Sequence, residues 1–390
     1  MLPPLSRADT SLLGRWWWTV DRWTLLAIGT LIGLGYVMML AASPAVAERI
    51  NQSRDIFILK QVFFLSLAGA IVVVVSLLSP RGVRRVALAG CLIALALTAL
   101  TLVAGVEIKG ARRWIALPGM SLQPSEFVKP CFAVVAAWLM AEGKRTAGFP
   151  GMLVAFGGFA VIAVLLKSQP DIGMLAVISG VFFTQLFVGG LNIVLVGIGL
   201  AGMAGAAVAA FIFFPHVHAR VLNFLSQSSH TPPGGLHPGA PGADLMQNYQ
   251  VMRSLEAFGN GGLWGRGPGE GRVKDVLPDA HADTVFAVAG EEFGMVLCLI
   301  ILGLFAFIVL RGLLRLLGES DLFVILAATG LVASFGLQAF VNMASTLALI
   351  PTKGMTLPFL SYGGSSVLAV ALGIGMLLAL TRRRHGGELL

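Results

Sequence analysis

The stretch LPDAHADTVFAVAGEEFG, residues 277–294, sets Asp279 and Asp283 at the mouth of a strongly apolar run and Glu291 and Glu292 inside it. Charge beside hydrocarbon is costly, so each of these acids needs a role. An acid at the edge of an apolar phase can serve as a general base, taking the proton of a hydroxyl whose oxygen attacks another group. Asp283 stands directly before the run, where it can equally cap a helix by accepting a backbone N–H. Asp279, behind Pro278, competes for that cap position, and only one of the two can hold it. The surplus acid is the candidate base. Glu291 lies about 12 Å deeper along a helix axis than Asp283 and some 80° round it, and Glu292 points to the opposite side. The two glutamates are therefore not expected to act as one unit. For each, a packing ion pair and a substrate contact stay open as alternatives.

The segment VEIKGARRWIALPGMSLQPSEFVKP, 106–130, supplies Lys109, Arg112, Arg113 and Lys129 beside Glu107, Glu126 and Trp114. Arginine bonds phosphate oxygens in pairs and lysine adds a point charge, so this group can hold a diphosphate at a membrane surface. The alternative is anchoring, with Arg and Trp at head-group level. Lys129 fits anchoring less well, because it opens the apolar stretch FVKPCFAVVAAWLM. Lys353, beside Pro351, is a further candidate phosphate contact. His281 can act as ligand or base, though a lone histidine is more often structural. The pair in HVH, 216–218, lacks companions for a metal, and no zinc motif, Walker loop or dinucleotide fingerprint is present.

The elements that position these residues follow from composition. The 390 residues are 57% hydrophobic and 12% charged, with a mean hydropathy of +0.87. That is about half the charge of a soluble domain. Windows of about 20 apolar residues give ten spans, near 23–43, 61–79, 86–105, 127–141, 150–166, 171–188, 191–214, 284–310, 322–349 and 364–381. The fold class expected is an all-α polytopic membrane protein. It comprises a tail at 1–22, a transmembrane domain at 23–381 that includes a large loop at 215–283 between the seventh and eighth helices, and a tail at 382–390. The first run is too long for a cleaved signal and is read as retained. Within the loop, 226–244 is rich in Gly, Pro and Ser, whereas Leu245, Tyr249, Met252 and Leu255 fall near helical spacing and Gly259 reads as a stop. That pattern predicts a short amphipathic helix at the membrane face.

Ten spans place both termini on one side. With both inside, thirteen of the 27 Lys and Arg are cytoplasmic, and nine remain outside once the long loop is set apart. The bias favours N-in and C-in, with the 215–283 loop extracytoplasmic. The pI near 9.9 comes from basic residues dispersed at membrane flanks, which suits lipid head groups and not nucleic acid. Cys91, Cys131 and Cys298 all fall in apolar spans and imply no disulfide framework.

In order along the chain, KGARRWI, QPSEFVK, QPDIGM, GGLWGRGPGEG, LPDAHADTVFAVAGEEFG and NMASTLALIPTKGMTLPFLSYGGSS resemble the motifs of the SEDS family of bacterial cell-wall proteins, which includes FtsW and RodA. The resemblance implies ten transmembrane helices and polymerisation of lipid II with a class B penicillin-binding protein transpeptidase and other division proteins as partners. It implies a catalytic role for Asp283 and functional roles for Arg113, Glu126, Lys129 and Lys353. Trp114, Gln123 and His281 of the same stretches are expected substrate contacts, and Asp279, Glu291 and Glu292 supporting residues. The family pattern runs closer to LPEAHTDF, so Asp279, Ala282 and Thr284 depart from it while His281 and Asp283 match. The N-terminal WWWTVDRW and the stretch SPAVAERI are more similar to the division branch, placing the chain in the inner membrane at the septum. The chemistry implied is attack of an acceptor 4-hydroxyl, deprotonated by Asp283, on the anomeric carbon of the donor, with undecaprenyl diphosphate leaving. Arg113, Lys129 or a divalent cation, Mg2+ or Mn2+, would offset the departing charge. The alternatives are a lipid II flippase and a non-catalytic division scaffold.

Overall fold

A computed structural model describes residues 11–49, 54–108, 111–117, 120–190, 242–277, 280–351 and 354–382, with scattered positions between 197 and 218. In chain order the helices are α1 (Leu12–Thr19), α2 (Arg22–Arg49), α3 (Arg54–Ser76), α4 (Pro80–Ala104), α5 (Ser125–Arg145), α6 (Gly151–Ser168) and α7 (Ile172–Val188). Then come α8 (Gly242–Gly261), α9 (Val285–Leu314), α10 (Leu322–Thr346) and α11 (Gly364–Leu380), with a 3₁₀ turn at Val273–Asp275. Each expected span except the seventh coincides with one of these helices. The seventh, 191–214, lies largely outside the described residues.

Helices form here because a chain in hydrocarbon must satisfy its backbone polar groups within itself. Local chemistry sets the ends. Ser79 accepts the Gly82 N–H at 3.1 Å with Pro80 following, which starts α4. Asp171 and Asp321 cap α7 and α10 through the N–H groups of Met174 and Phe323. Among the described residues, six helices, α2, α3, α4, α6, α9 and α10, are long and apolar enough to cross a membrane, and α7 and α11 are shorter apolar helices. α5 is long enough, but Glu126, Lys129, Glu142, Lys144 and Arg145 make it less apolar. It packs instead between α4 and α10 with most of its first half buried. The chain is a multi-pass membrane protein.

Two features go beyond the sequence reading. Residues 106–122 form a small antiparallel sheet, β1 (Val106–Ile108), β2 (Ala111–Leu117) and β3 (Met120–Leu122), in that order. It is the one non-helical element of the otherwise all-α architecture among the described residues. α8 is the amphipathic helix expected in the long loop, extended to Gly261. Its Tyr249, Met252 and Leu255 face outward, while Val251, Ser254 and Ala257 turn inward and α8 packs along α9.

At one end of α9, Asp21 takes hydrogen bonds from Arg311 Nε at 2.7 Å, Arg311 Nη2 at 2.9 Å and Arg315 Nε at 3.1 Å. Asp283 precedes the other end of α9, which is kinked on the way at Gly294, where φ is 76° and ψ −175°. The start of α2 and the end of α9 therefore share one face of the bundle, and Asp283 lies toward the opposite one.

Candidate active site

α9 starts at Val285, and Thr284 occupies its cap position without a side-chain cap bond. Asp283 is thus one residue outside the cap. Its backbone is fixed from behind: the buried Asn342 of α10 donates Nδ2–H to the Asp283 carbonyl at 2.9 Å and to the Met355 carbonyl at 2.5 Å. In front, the backbone of Gly354 comes so close that a Cβ there would stand 2.8 Å from Asp283 Oδ2. One buried amide therefore holds the acid and the 354–363 loop in register, and an absent side chain leaves room for the carboxylate.

Asp283 lines a cavity of about 580 Å³. Arg113 and Trp114 from β2, Gln123, and Glu126 at the start of α5 line it too, so five of the residues singled out in the sequence meet around one space. Lys60 and Phe64 of α3, Asp171, Tyr362 and Ser365 complete much of the wall. Burial pushes the Tyr362 phenol above its usual range.

Arg113 is largely engaged. Its Nε donates to the Gln169 carbonyl at 2.9 Å, its Nη2 to the Pro170 carbonyl at 2.6 Å, and its Nη1 lies 3.6 Å from Asp171 Oδ2. It clamps the turn between α6 and α7 to β2 while presenting one edge to the cavity. Lys129 departs from the expected diphosphate contact. It is 4% exposed, pairs with Glu126 Oε2 at 2.6 Å and donates to Gln338 Oε1 at 2.6 Å. Gln338 in turn donates to the Thr356 carbonyl at 3.0 Å, and the Thr356 and Ser366 hydroxyls meet at 2.6 Å. A buried ammonium needs such partners, and Lys129 finds them behind the wall, not on it.

His281 stands beside the cavity, packed between Phe57 and Tyr362 at centroid distances of 5.5 and 5.1 Å with the rings tilted by 58° and 50°, and its carbonyl accepts the Tyr362 N–H at 2.8 Å. Asp279 and Lys353 lie outside the described residues. Glu291 and Glu292 are buried away from the cavity and act together, which corrects the expectation from helical geometry. Glu291 accepts the N–H groups of Arg272 and Val273 at 3.1 and 3.0 Å. Glu292 accepts the Gly269 N–H at 2.8 Å and pairs with Lys274 Nζ at 2.6 Å. Their stems diverge, but the 265–274 loop wraps round the helix and meets both. Glycine makes this possible at Gly265 (φ 81°) and Gly294 (φ 76°), where any Cβ would strike backbone within 2.4 Å.

Among the described residues, no three His, Cys, Asp or Glu side chains converge as metal ligands. The carboxylates lining the cavity besides Asp283 already have cationic partners, Glu126 in Lys129 and Asp171 in Arg113. Among the described residues, this donor set does not by itself assemble a divalent-cation site.

Sequence reasoning missed Asn342, Gln338, Asp171 and Lys60 as contributors. A signal existed for the first two: Gln338 and Asn342 are four residues apart in an apolar run, so they share one helix face. Lys60 gave none, because a lysine at a span's edge usually reaches for the interface.

The family model for cell cycle proteins named FtsW, RodA and SpoVE matches residues 22–386. The chain belongs to the FtsW/RodA/SpoVE family. A probable peptidoglycan glycosyltransferase FtsW of Caulobacter vibrioides (strain NA1000 / CB15N) is 42% identical over 98% of this chain and 94% of its own length. The FtsW similarly described from Trichlorobacter lovleyi is 34% identical, covering 91% of both. Among solved structures, a chain from work on the structural coordination of polymerization and crosslinking by a peptidoglycan synthase complex superposes with a TM-score of 0.73. It is 26% identical and covers 93% of this chain and 97% of itself. The rod shape determining protein RodA of Thermus thermophilus gives a TM-score of 0.64 at 25% identity, covering 94% of this chain and 97% of its own. For a member of the FtsW/RodA/SpoVE family, the membership and the polytopic fold agree with the motif reading.

Proposed function

We propose that this protein is a peptidoglycan glycosyltransferase that polymerises lipid II, with Asp283 as general base. The observation that carries the reading is the placement of Asp283: outside the helix cap, held by Asn342, and lining a cavity with Arg113, Trp114, Gln123 and Glu126. Asp283 takes the proton of the acceptor sugar's 4-hydroxyl. The oxygen forms a bond to the donor's anomeric carbon as the bond to the diphosphate oxygen breaks, and the electron pair leaves with undecaprenyl diphosphate. Donors aimed at developing charge supply much of the stabilisation in such steps. Lys129 serves by holding Glu126 and Gln338 in place.

The cavity is lined by Asp283, at the end of α9 opposite the Asp21 cluster. With the basic bias of the loops, this supports a cytoplasmic-membrane protein with both termini inside and the site at the outer face, where the disaccharide of lipid II is presented. A class B penicillin-binding protein is the partner that suits a polymerase in division, since new glycan must be crosslinked, and the septum is the place. The reading is tested by incubating the purified full-length chain, with and without such a partner, with lipid II and resolving glycan strands by electrophoresis. Strands support it, and their absence under both conditions refutes it.

A further inference from the structure

Two of the cations assigned to substrate from sequence are already engaged, Arg113 by two backbone carbonyls and Asp171, and Lys129 by Glu126 and Gln338. Lys60 differs. It lines the cavity from α3, half-buried, and among the described residues no hydrogen bond or ion pair reaches its ammonium. No motif of the sequence assigns it a role.

Its neighbour in space is the start of α11. One turn on from Lys60, the ring of Phe64 lies against Gly364, where a Cβ would stand 2.8 Å from it. Because residues four apart share a helix face, this close approach sets Lys60 beside the first turn of α11. That turn has unmet donors of its own. Gly363 makes no side-chain cap bond, and the first helical bond is from the Val367 N–H to the Gly363 carbonyl at 2.9 Å. The N–H groups of Gly364, Ser365 and Ser366 therefore precede any helical acceptor. Ser365 is only 2% exposed and lines the cavity, yet its hydroxyl has no hydrogen-bond partner among the described residues. An ammonium, a buried hydroxyl and open backbone N–H groups on one wall all donate. Such a set calls for an anion with several oxygens.

Resting on the glycosyl-transfer reading, we propose that Lys60, Ser365 and the first turn of α11 bind the diphosphate of a polyprenyl-diphosphate-linked sugar and hold it as it leaves. The corner shares the cavity with Asp283, so the donor's diphosphate and the base act on one bound substrate. A charged hydrogen bond is lost when Lys60 is truncated, which corresponds to a factor of about 10 to 100 in affinity.

The test measures binding of undecaprenyl diphosphate to the full-length chain in neutral-lipid nanodiscs, independently of polymerisation. The site predicts that Lys60→Ala weakens binding by about 10- to 100-fold, that Lys60→Arg restores most of it, and that Ser365→Ala weakens it by a smaller factor. Inorganic pyrophosphate should compete with the lipid in the wild type and lose that ability in Lys60→Ala. Should Lys60→Ala bind as the wild type does, or should undecaprenol compete as well as pyrophosphate, the head group is not read here and the proposal fails. If the wild type makes no glycan but binds undecaprenyl diphosphate through Lys60, the polymerase reading fails while this site stands. Lys167→Ala, on the exposed face of α6 away from the cavity, is the surface control.

Discussion

The backbone of Gly354 lies against the carboxylate of Asp283, so close that a Cβ at 354 would come within 2.8 Å of Oδ2. The obstructed atom is the terminal oxygen of a side chain, so the clash is relieved by turning the carboxylate and not by moving backbone. Gly354→Ala should accordingly keep its melting temperature while the carboxylate is displaced. Misplacing a catalytic group by about 1 Å can cost on the order of 10²-fold, so polymerisation should fall by up to that factor. Equal activity with equal stability would remove Asp283's geometry from the account. Gly265→Ala makes a contrasting control, since its Cβ would meet the Glu292 carbonyl at 2.2 Å and φ is 81°, and it should destabilise the chain.

The buried Glu126–Lys129 pair gives a second prediction. Lys129→Met leaves the Glu126 carboxylate uncompensated, which typically costs about 3–5 kcal/mol. Glu126→Gln with Lys129→Met removes both charges and should recover most of the loss in melting temperature. A double variant as unstable as Lys129→Met alone would show that the pair is not coupled.

Much of this site was legible in the sequence, and the division is physical. Spans could be read because apolar runs of bilayer length have one outcome. Asp283 stood out because a second acid competed for its cap position. What could not be read were partners far apart in the chain: Lys129 meets Gln338 across 209 residues, and Asn342 meets Asp283 across 59. Residue type alone made Lys129 look like a phosphate ligand; only packing shows its charge already matched. Glu291 and Glu292 were misread as independent for the same reason, since helical angles say nothing of a loop that wraps round the helix.

Asp21 gives a pH prediction. Burial pushes its carboxyl up, but the hydrogen bond from Arg311, the charge of Arg315 and the hydrogen bond from Thr24 outweigh this and hold it below the ordinary value of 3.8. A group depressed in the fold stabilises above its unfolded pKa, and that contribution is lost as pH falls through the folded value. The melting-temperature gap between wild type and Asp21→Asn should be full above about pH 5 and shrink below pH 3.8. A gap independent of pH would mean that the ion pairs contribute nothing.

Topology is open to labelling, because Cys91, Cys131 and Cys298 are all buried and give a low background. Ser228→Cys in the long loop should react with an impermeant thiol reagent in intact spheroplasts. Reaction only after lysis would place the loop inside and overturn the orientation.

The central claim is that Asp283 is the base, and the direct measurement is the rate of lipid II polymerisation by Asp283→Asn. Asparagine keeps the size of the side chain, and the backbone bond from Asn342 is untouched, so folding and partner binding should survive. A positioned general base contributes about 10²- to 10⁴-fold, and the rate should fall by about that factor. A folded Asp283→Asn protein that polymerises lipid II at the wild-type rate would contradict the assignment.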